Sequence, residues 1–347
     1  MATTRAEMIN SIKQKIQKQR TDTLDVNNTR EVLEELTNWV ESSGGNTAGL
    51  DLTGATDSST ALQLLIDSSS NGDTIKIPEG KLKLDSQVNI DKELYIIADS
   101  TSVELAPSII GFFIDSDNVI VKGFNFNCVS KTTEAITINS KNGFNVSECN
   151  FLNLGYGIRF YSTIVTGVNE LSSISNCYFL DCTNGIASEE RGEYVNITSC
   201  RLHNCTTGVS ISGGNVSLIG CNITKGSTGV SLLSGANNSH GIISGCQINH
   251  VPTPIKSDGI TSGHTITGCH FFQGNIDLKD SIGLSFMDCF VAVTNFWADN
   301  CTALFVKSCR MFDGYGLNVD LSKNGNASTV VSQDNYMYNT GVAYTGI

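Results

Sequence analysis

Three aspartates lie on consecutive copies of a repeated segment in the second half of the sequence. They are Asp258, Asp277 and Asp299. If successive segments stack as neighbouring strands, the three side chains become diagonal neighbours whose backbones lie roughly 8 Å apart. This separation is near that of the two carboxyl groups of glycosidases that invert the anomeric carbon. The three aspartates are therefore candidate catalytic acids.

Two lysines and a tryptophan at neighbouring positions allow other interpretations. Stacking would place Lys256 beside Asp277 and Lys279 beside Asp258, which is an ordinary ladder of cross-strand ion pairs. Trp297 would lie exposed next to these charges, and an indole ring offers a large amphipathic surface on which a sugar can stack. The sequence favours the ion-pair ladder. A ligand-binding surface of Trp297, Lys256 and Lys279 is the second interpretation, and catalysis is the third.

A second candidate site lies upstream, around the segment Ser188–Glu193. Its acids, which include Glu189 and Glu193, surround one arginine and could supply an acid and a base or hold a cation. A solvated turn is the favoured alternative. Arg159 and Tyr161, which precede this segment at equivalent strand positions, are candidate ligand-binding residues.

The element that must position these side chains is a repeat marked by cysteine. Eight of the twelve cysteines occupy the phrase apolar-x-apolar-x-x-Cys-x-apolar, as in VNITSCRL and VSLIGCNI. They are Cys149, Cys177, Cys200, Cys221, Cys246, Cys269, Cys289 and Cys309. A second phrase, Gly-apolar-x-apolar, occurs at Gly157, Gly185, Gly208, Gly229 and Gly316. Both phrases alternate with period two, which predicts short strands with one buried face.

A unit of two or three short strands without a helix cannot bury a core by itself, whereas stacked units can. The sequence therefore predicts an all-β fold, a single-stranded parallel β-helix of roughly ten coils spaced about 4.8 Å apart. Because successive residues of a strand point to opposite faces, two columns of side chains are predicted on the outside of the solenoid. The first column is predicted to contain Arg159, Ala187, Ser210, Ser231, Lys256, Asp277, Trp297 and Asn318. The second is predicted to contain Tyr161, Glu189, Ser212, Leu233, Asp258, Lys279, Asp299 and Asp320.

The repeated cysteine alternates with apolar positions, so it is predicted to point inward and to form a ladder of free thiols. A reduced cysteine behaves as a small hydrophobic residue and suits this interior. Disulfides between neighbouring coils are disfavoured, because parallel Cβ vectors do not give the required dihedral angle. A zinc site of Cys177, Cys182, Cys200 and Cys205 is a weaker alternative. No metal or cofactor is therefore expected.

The first 42 residues follow a different pattern. Thr4-x-x-Glu7 and Asn28-x-x-Glu31 are capping boxes, each followed by apolar residues at helical spacing. Residues 1–42 are predicted to form helices for attachment or self-association, or a hairpin that lies on the solenoid. Residues 43–53 are a predicted linker and residues 54–347 the predicted β-helix domain, with a capping helix and first strand at 54–84.

Composition argues against several classes of function. Lys plus Arg is 22 against 34 for Asp plus Glu, a net charge of −12, and such a chain is a poor nucleic-acid binder. No run of about 18 apolar residues is present, so membrane insertion is not expected. The start MATTRAEMIN has no basic region followed by an apolar core, so no signal peptide is expected.

The stretch GATDSSTALQLLIDSSSNGDTIKIPEGKLKL at residues 54–84 resembles the start of a known family of β-helices. These are the pectate-lyase-like right-handed parallel β-helices of bacteriophage tail spikes and tail fibres. The resemblance implies a short helix, Ala61–Asp67, that covers the open end of the solenoid. The N-terminal AEMINSIKQKI and NNTREVLEELTNWV resemble the helical leader of phage tail proteins.

This resemblance implies a structural virion appendage that is made in the host cytoplasm and contacts host cell-surface polysaccharide. It further implies a homotrimer that is held by other virion tail proteins through residues 1–42. Asn-Thr-Asp, Gly-His-Gly and Arg-Ile-Lys, the signatures of polygalacturonases on this fold, are missing from the sequence. A structural protein is therefore favoured over the alternative, a polysaccharide depolymerase (hydrolase or lyase) on the same scaffold.

Overall fold

The computed structural model describes residues 49–161, 169–189, 192–234, 240–259, 263–312, 314, 316–322, 324, 327–338 and 340–345. The helices predicted for residues 1–42 and most of the predicted linker lie outside these ranges. Within them the chain winds into a parallel β-solenoid of about 11 turns. The predicted all-β parallel β-helix is confirmed.

Each full coil contributes one strand to each of three parallel sheets, in the order sheet 1, sheet 2, sheet 3. Sheet 1 contains Asp73–Ile77, Leu94–Ala98, Ile120–Lys122, Asn145–Ser147, Ser173–Ser175, Val195–Thr198, Val216–Ile219, Gly241–Ser244, His264–Thr267, Ser285–Met287, Leu304–Lys307 and Val330–Gln333. Sheet 2 contains Thr53–Asp57, Lys81–Leu84, Ser102–Leu105, Asn125–Cys128, Asn150–Leu152, Tyr178–Leu180, Arg201–His203, Asn222–Thr224, Gln247–Asn249, His270–Phe272, Phe290–Ala292, Arg310–Met311 and Tyr336–Met337. Sheet 3 contains Val88–Ile90, Ile110–Ile114, Glu134–Asn139, Tyr156–Tyr161, Asn184–Glu189, Thr207–Ile211, Thr228–Leu233, Thr253–Asp258, Asn275–Lys279, Asn295–Asp299 and Asn318–Asp320.

Two further elements of the described residues lie outside the three sheets. They are the α-helix Ser59–Ser68 and a small parallel ladder of Asn169–Glu170 with Gly192–Glu193.

The core consists of stacks of like side chains along the axis of the solenoid. Strands alternate buried and accessible residues, so each inward residue meets its equivalent one coil above and below. Phe126, Phe151 and Phe179 form one such stack, with ring centroids 5.5 and 4.7 Å apart. These apolar stacks hold successive coils in register.

The repeated cysteine follows a sharp corner between sheet 1 and sheet 2. The residue before each ladder cysteine has a left-handed φ, between 53° and 61°. These residues are Glu148, Asn176, Ser199, Gly220, Gly245, Gly268, Asp288 and Ser308. The corner turns the next side chain inward, and all twelve cysteines are buried free thiols. The predicted thiol ladder is confirmed.

The helix Ser59–Ser68 takes the place of a sheet 3 strand in the first coil. It starts two residues earlier than predicted and packs against Val88–Ile90, the first strand of sheet 3. Leu62 and Ile66 are fully buried members of the core. The Lys92 ammonium donates to the carbonyls of the last helical turn, which suits the negative end of the helix dipole. The helix thus lies against the first strand of sheet 3 and extends the core at that end.

Candidate functional site

The outer face of sheet 3 carries most of the predicted site residues. Lys256 lies opposite Asp277 on the next coil, and Asp277 lies opposite Trp297 on the coil after that. Asp258 lies opposite Lys279. The structure therefore brings the lysines, two of the aspartates and the tryptophan onto one surface, in the predicted register.

The predicted register is wrong at the last strand of sheet 3. Asn318 lies opposite Asn295, and Asp320 rather than Asn318 follows Trp297 in the first column. The cause is a ladder of side-chain amides, in which Asn318 donates to Asn295 and Asn295 donates to Asn275. These hydrogen bonds place Asn318 at the position that glycine occupies in earlier coils. Gly316, which the Gly-apolar phrase predicts at that position, lies before the strand.

A shallow pocket of about 310 Å³ opens on this face. It is lined by Lys256, Ser257, Asp258, Asp277, Lys279, Asp299 and Asn324. The Asp258 carboxylate forms ion pairs with the ammonium groups of Lys256 and Lys279, each with an N–O distance of 3.5 Å. All three side chains are 41–53% exposed. A polar ligand can therefore replace these ion pairs at little cost in free energy.

Asp299 differs from the other two aspartates because it is only 5% exposed. The Asn324 side chain donates a hydrogen bond to the Asp299 carboxylate, with an N–O distance of 2.9 Å. The prediction that Asp299 faces solvent in an open column is therefore wrong. Asn324 follows the last strand of sheet 3, and no repeat in the sequence indicates its position beside Asp299.

A second cluster centres on Arg159, four coils away on the same face. Its guanidinium donates to Glu189 at 2.7 and 3.0 Å and to Glu134 at 2.9 Å. The rings of Tyr156 and Tyr161 lie 5.2 and 5.0 Å from the guanidinium carbon. The structure thus joins Arg159, Tyr161 and Glu189, which sequence reasoning treated separately, and adds Glu134 and Tyr156, which it missed.

In this cluster one positive charge is shared by two negative ones. Burial disfavours the charge of Arg159, but the hydrogen bond to Glu189 and the charges of both glutamates raise its pKa. Burial and the charge of Glu189 raise the pKa of Tyr156. Because two carboxylates share one guanidinium, the cluster is an ion triplet that can also present carboxylate oxygens to a ligand.

The remaining candidate of the upstream site lies apart from sheet 3. Glu193 belongs to the small ladder with Asn169–Glu170, while residues 190 and 191 lie outside the described ranges. Among the described residues, no group of three or more His, Cys, Asp or Glu side chains is arranged to hold a metal ion. The only α-helix among the described residues, Ser59–Ser68, has 10 residues and is too short to cross a membrane.

No protein-family model and no curated protein matches this chain, but solved structures do. The tailspike protein of Acinetobacter phage vB_ApiP_P1 matches with a TM-score of 0.60 and 13% identity, over 87% of this chain and 62% of that one. The catalytic unit of a thermostable GH87 alpha-1,3-glucanase from Streptomyces thermodiastaticus strain HF3-3 matches with a TM-score of 0.59 and 12% identity, over 84% and 68%. The Dettilon tailspike protein matches with a TM-score of 0.55 and 12% identity, over 82% and 66%.

The chain thus spans about two thirds of the length of these two tailspikes. At 12–13% identity the likeness concerns the fold. The chain has the parallel β-helix that phage tailspikes and a glucan hydrolase share.

Proposed function

We propose that this chain is the β-helix protein of a bacteriophage tail spike or tail fibre, and that it contacts host surface glycan through the outer face of sheet 3. It acts as a structural part of the virion. The likeness in fold to two phage tailspikes supports the virion context. The pocket beside Trp297 carries the binding part of the proposal.

That pocket has the components of a carbohydrate site. Lys256 and Lys279 can donate hydrogen bonds, the carboxylates of Asp258 and Asp277 can accept them, and the half-buried Trp297 lies opposite Asp277 on the next coil. Sugars present hydroxyl groups around an apolar ring face, so they need polar groups beside an aromatic side chain. The Arg159 cluster, with Tyr161 and Glu189, extends the same face towards the N-terminal end.

The binding test uses the full chain and an array of bacterial surface polysaccharides. We expect at least one polysaccharide to bind, and Trp297→Ala to weaken that binding about tenfold or more, equivalent to about 1.4 kcal/mol. Phe305→Ala is the matched control, because Phe305 is an exposed aromatic residue on sheet 1 (40% exposed). Failure of every polysaccharide to bind, or equal affinities of the two variants, would overturn the proposal.

A polysaccharide depolymerase is the second candidate function. It is favoured by the diagonal placement of Asp258 and Asp277 within one pocket, because a glycosidase needs two carboxyl groups on either side of the scissile bond. Incubation with the bound polysaccharide tests it through new reducing ends or unsaturated uronate absorbance. Products that are lost in Asp277→Asn or Glu189→Gln would make the protein an enzyme. Intact polysaccharide would leave it a binding protein.

The assembly is part of the same proposal. The chain forms a homotrimer, residues 1–42 attach it to other tail proteins, and residues 54–347 form the β-helix domain. Light scattering on the full chain tests the first point, with the mass of three chains expected. The mass of a single chain would contradict it.

A further inference from the structure

We propose that the outer face of sheet 2, from Tyr178 to Tyr338, is a second binding surface and that its ligand is a polysaccharide carrying carboxylate groups. This rests on the proposed function only in taking a glycan as the ligand. The surface differs from the sheet 3 pocket in position and in charge, so the two can be tested separately.

The strands of this surface carry basic side chains and no acids, although the chain as a whole is acidic. The eight described strands of sheet 2 from Tyr178 to Met337 contain no Asp or Glu, although the chain has 34 acids and 22 Lys plus Arg. Their accessible basic residues are Arg201, His203, His270 and Arg310. The nearest acids, Asp181, Asp288 and Asp334, lie in the turns that flank these strands. The surface therefore favours an anionic ligand.

The N-terminal end of this surface is a pocket of about 250 Å³. Tyr178, Arg201 and His203 line it together with Asn222 and Thr224. The His203 Nδ1 atom lies 2.9 Å from the Thr224 hydroxyl, which fixes the orientation of the imidazole. An exposed guanidinium beside a tyrosine ring is suited to a sugar carboxylate, because arginine can donate two parallel hydrogen bonds to it.

The C-terminal end is an aromatic cluster around Phe290. The Tyr338 ring meets it edge to face at 5.1 Å, and the His270 ring lies 5.7 Å away. The Arg310 guanidinium lies 5.9 Å from the centre of the Phe290 ring. Tyr338 is 54% exposed, so the cluster reaches the surface. It combines a stacking surface for a sugar ring with a cation for its acidic group.

Register connects the two ends into one linear track. Arg201, Asn222, Gln247, His270, Phe290 and Arg310 follow one another on consecutive coils. Five steps of about 4.8 Å separate the two arginines by about 24 Å. The amides of Asn222 and Gln247 lie between them and can bond hydroxyl groups.

This spacing favours a polysaccharide over a nucleic acid. A nucleic acid carries a charge on every nucleotide, and its affinity depends on neutralising many phosphates. Two arginines about 24 Å apart neutralise few of them, and the chain has a net charge of −12. A glycan with a carboxylate only on some of its sugars fits the sparse cations and the intervening amides.

The experiment measures the binding of the full chain to polygalacturonate, alginate and hyaluronan by calorimetry. Methyl-esterified polygalacturonate and dextran are the neutral probes. We expect at least one acidic polymer to bind, at least about tenfold more tightly than the neutral probes, and to bind more weakly as NaCl is raised. Arg310→Gln and Arg201→Gln should each weaken this binding about tenfold, Arg310→Lys less, and Phe305→Ala on sheet 1 not at all.

Several results would overturn the proposal of a second binding surface. They are equal binding of acidic and neutral polymers, no binding of any acidic polymer, unchanged affinity in the arginine variants, or equally tight binding of a single-stranded DNA. Arginine variants that alter the mass of the particle instead of glycan affinity would assign the face to a subunit contact. Binding that depends on Trp297 but not on Arg201 or Arg310 would leave the proposed function standing and reject the second surface alone.

Discussion

The side-chain amide of Gln63 pairs with both backbone groups of Asn89. Its oxygen accepts from the Asn89 N–H at 2.7 Å, and its nitrogen donates to the Asn89 carbonyl at 3.1 Å. Asn89 lies in Val88–Ile90, the first strand of sheet 3, whose edge would otherwise be unpaired. A side chain of the capping helix therefore replaces one residue of a neighbouring strand and protects the sheet from edge-to-edge pairing.

Replacing Gln63 by leucine should remove this pairing. We expect a loss of about 1–2 kcal/mol in the free energy of unfolding, because two backbone groups lose their partners. Urea denaturation followed by circular dichroism measures it. Leu64→Gln on the same helix is the control, and as Leu64 is 63% exposed the change should stay within about 0.5 kcal/mol. Equal losses in the two variants would show that the amide does not protect the edge.

The thiol ladder should be unreactive in the folded chain. Each of the twelve cysteines is at most 5% exposed, and hydrogen bonds with Cys149 and Cys200, together with burial, raise the pKa of Cys177. Reaction with Ellman's reagent should therefore detect no fast thiol in buffer and twelve in denaturant. Ser227→Cys, on an exposed turn, should add one fast thiol. Fast labelling of ladder cysteines in the unmodified chain would contradict the buried ladder.

Gly226 is required where two coils approach closely. Its φ is 82°, and a Cβ atom there would meet the Cys205 carbonyl oxygen at 1.8 Å. Gly226→Ala should destabilise the fold by more than about 2 kcal/mol, since the strain of a left-handed residue adds to a clash with backbone. Gly220→Ala, with φ 61° and open space, should cost only about 1 kcal/mol. The difference in urea midpoint between the two variants measures the destabilisation that the clash at residue 226 adds to the backbone strain.

Arg159 should stabilise the solenoid more than the other surface cations do. Arg159→Met leaves Glu134 and Glu189 without their shared partner, and we expect a loss of about 1–2 kcal/mol, discounted for their partial exposure. Lys122→Met, which breaks an exposed pair with Glu148, should cost less than about 0.5 kcal/mol. Adding Glu134→Gln to Arg159→Met should restore part of the loss. A double variant no more stable than the single one would argue against repulsion between the glutamates.

Asp57 should make the first coil sensitive to acid. Burial is the largest single influence on Asp57 and raises its pKa, but the hydrogen bonds from Ser59 and from the Asp85 N–H together outweigh it and lower the pKa below the ordinary value of 3.8. A lowered pKa in the folded state stabilises the protein above pH 3.8, and this contribution is lost as pH falls through the folded-state pKa.

Asp57→Asn should therefore lower the melting temperature at pH 7 and make no difference once Asp57 of the parent is protonated. Melting curves between pH 7 and pH 2 measure the gap between the two proteins. Asp91→Asn, on an exposed residue outside this turn, is the control. A gap that stays constant down to pH 2 would rule out this role for Asp57.

The sequence alone determined the architecture and much of the sheet 3 surface. The strands are short and alternate with period two, so residues such as Lys256, Asp277 and Trp297 can be assigned to one column by counting. The cysteine phrase marks the same inward position in coil after coil. Because similar units stack on one another, the pattern of one coil predicts the arrangement of the whole solenoid.

Only the tertiary structure decided the contacts that depend on turns, irregular segments or long side chains. The fold of the segment after Asp320 determines the burial of Asp299 by Asn324. An amide ladder sets the register of Asn318. Glu134 reaches Arg159 from the preceding coil although it lies opposite Tyr156. Periodicity specifies which face a residue occupies, whereas the reach of a side chain and the path of a turn depend on neighbours that are distant in sequence.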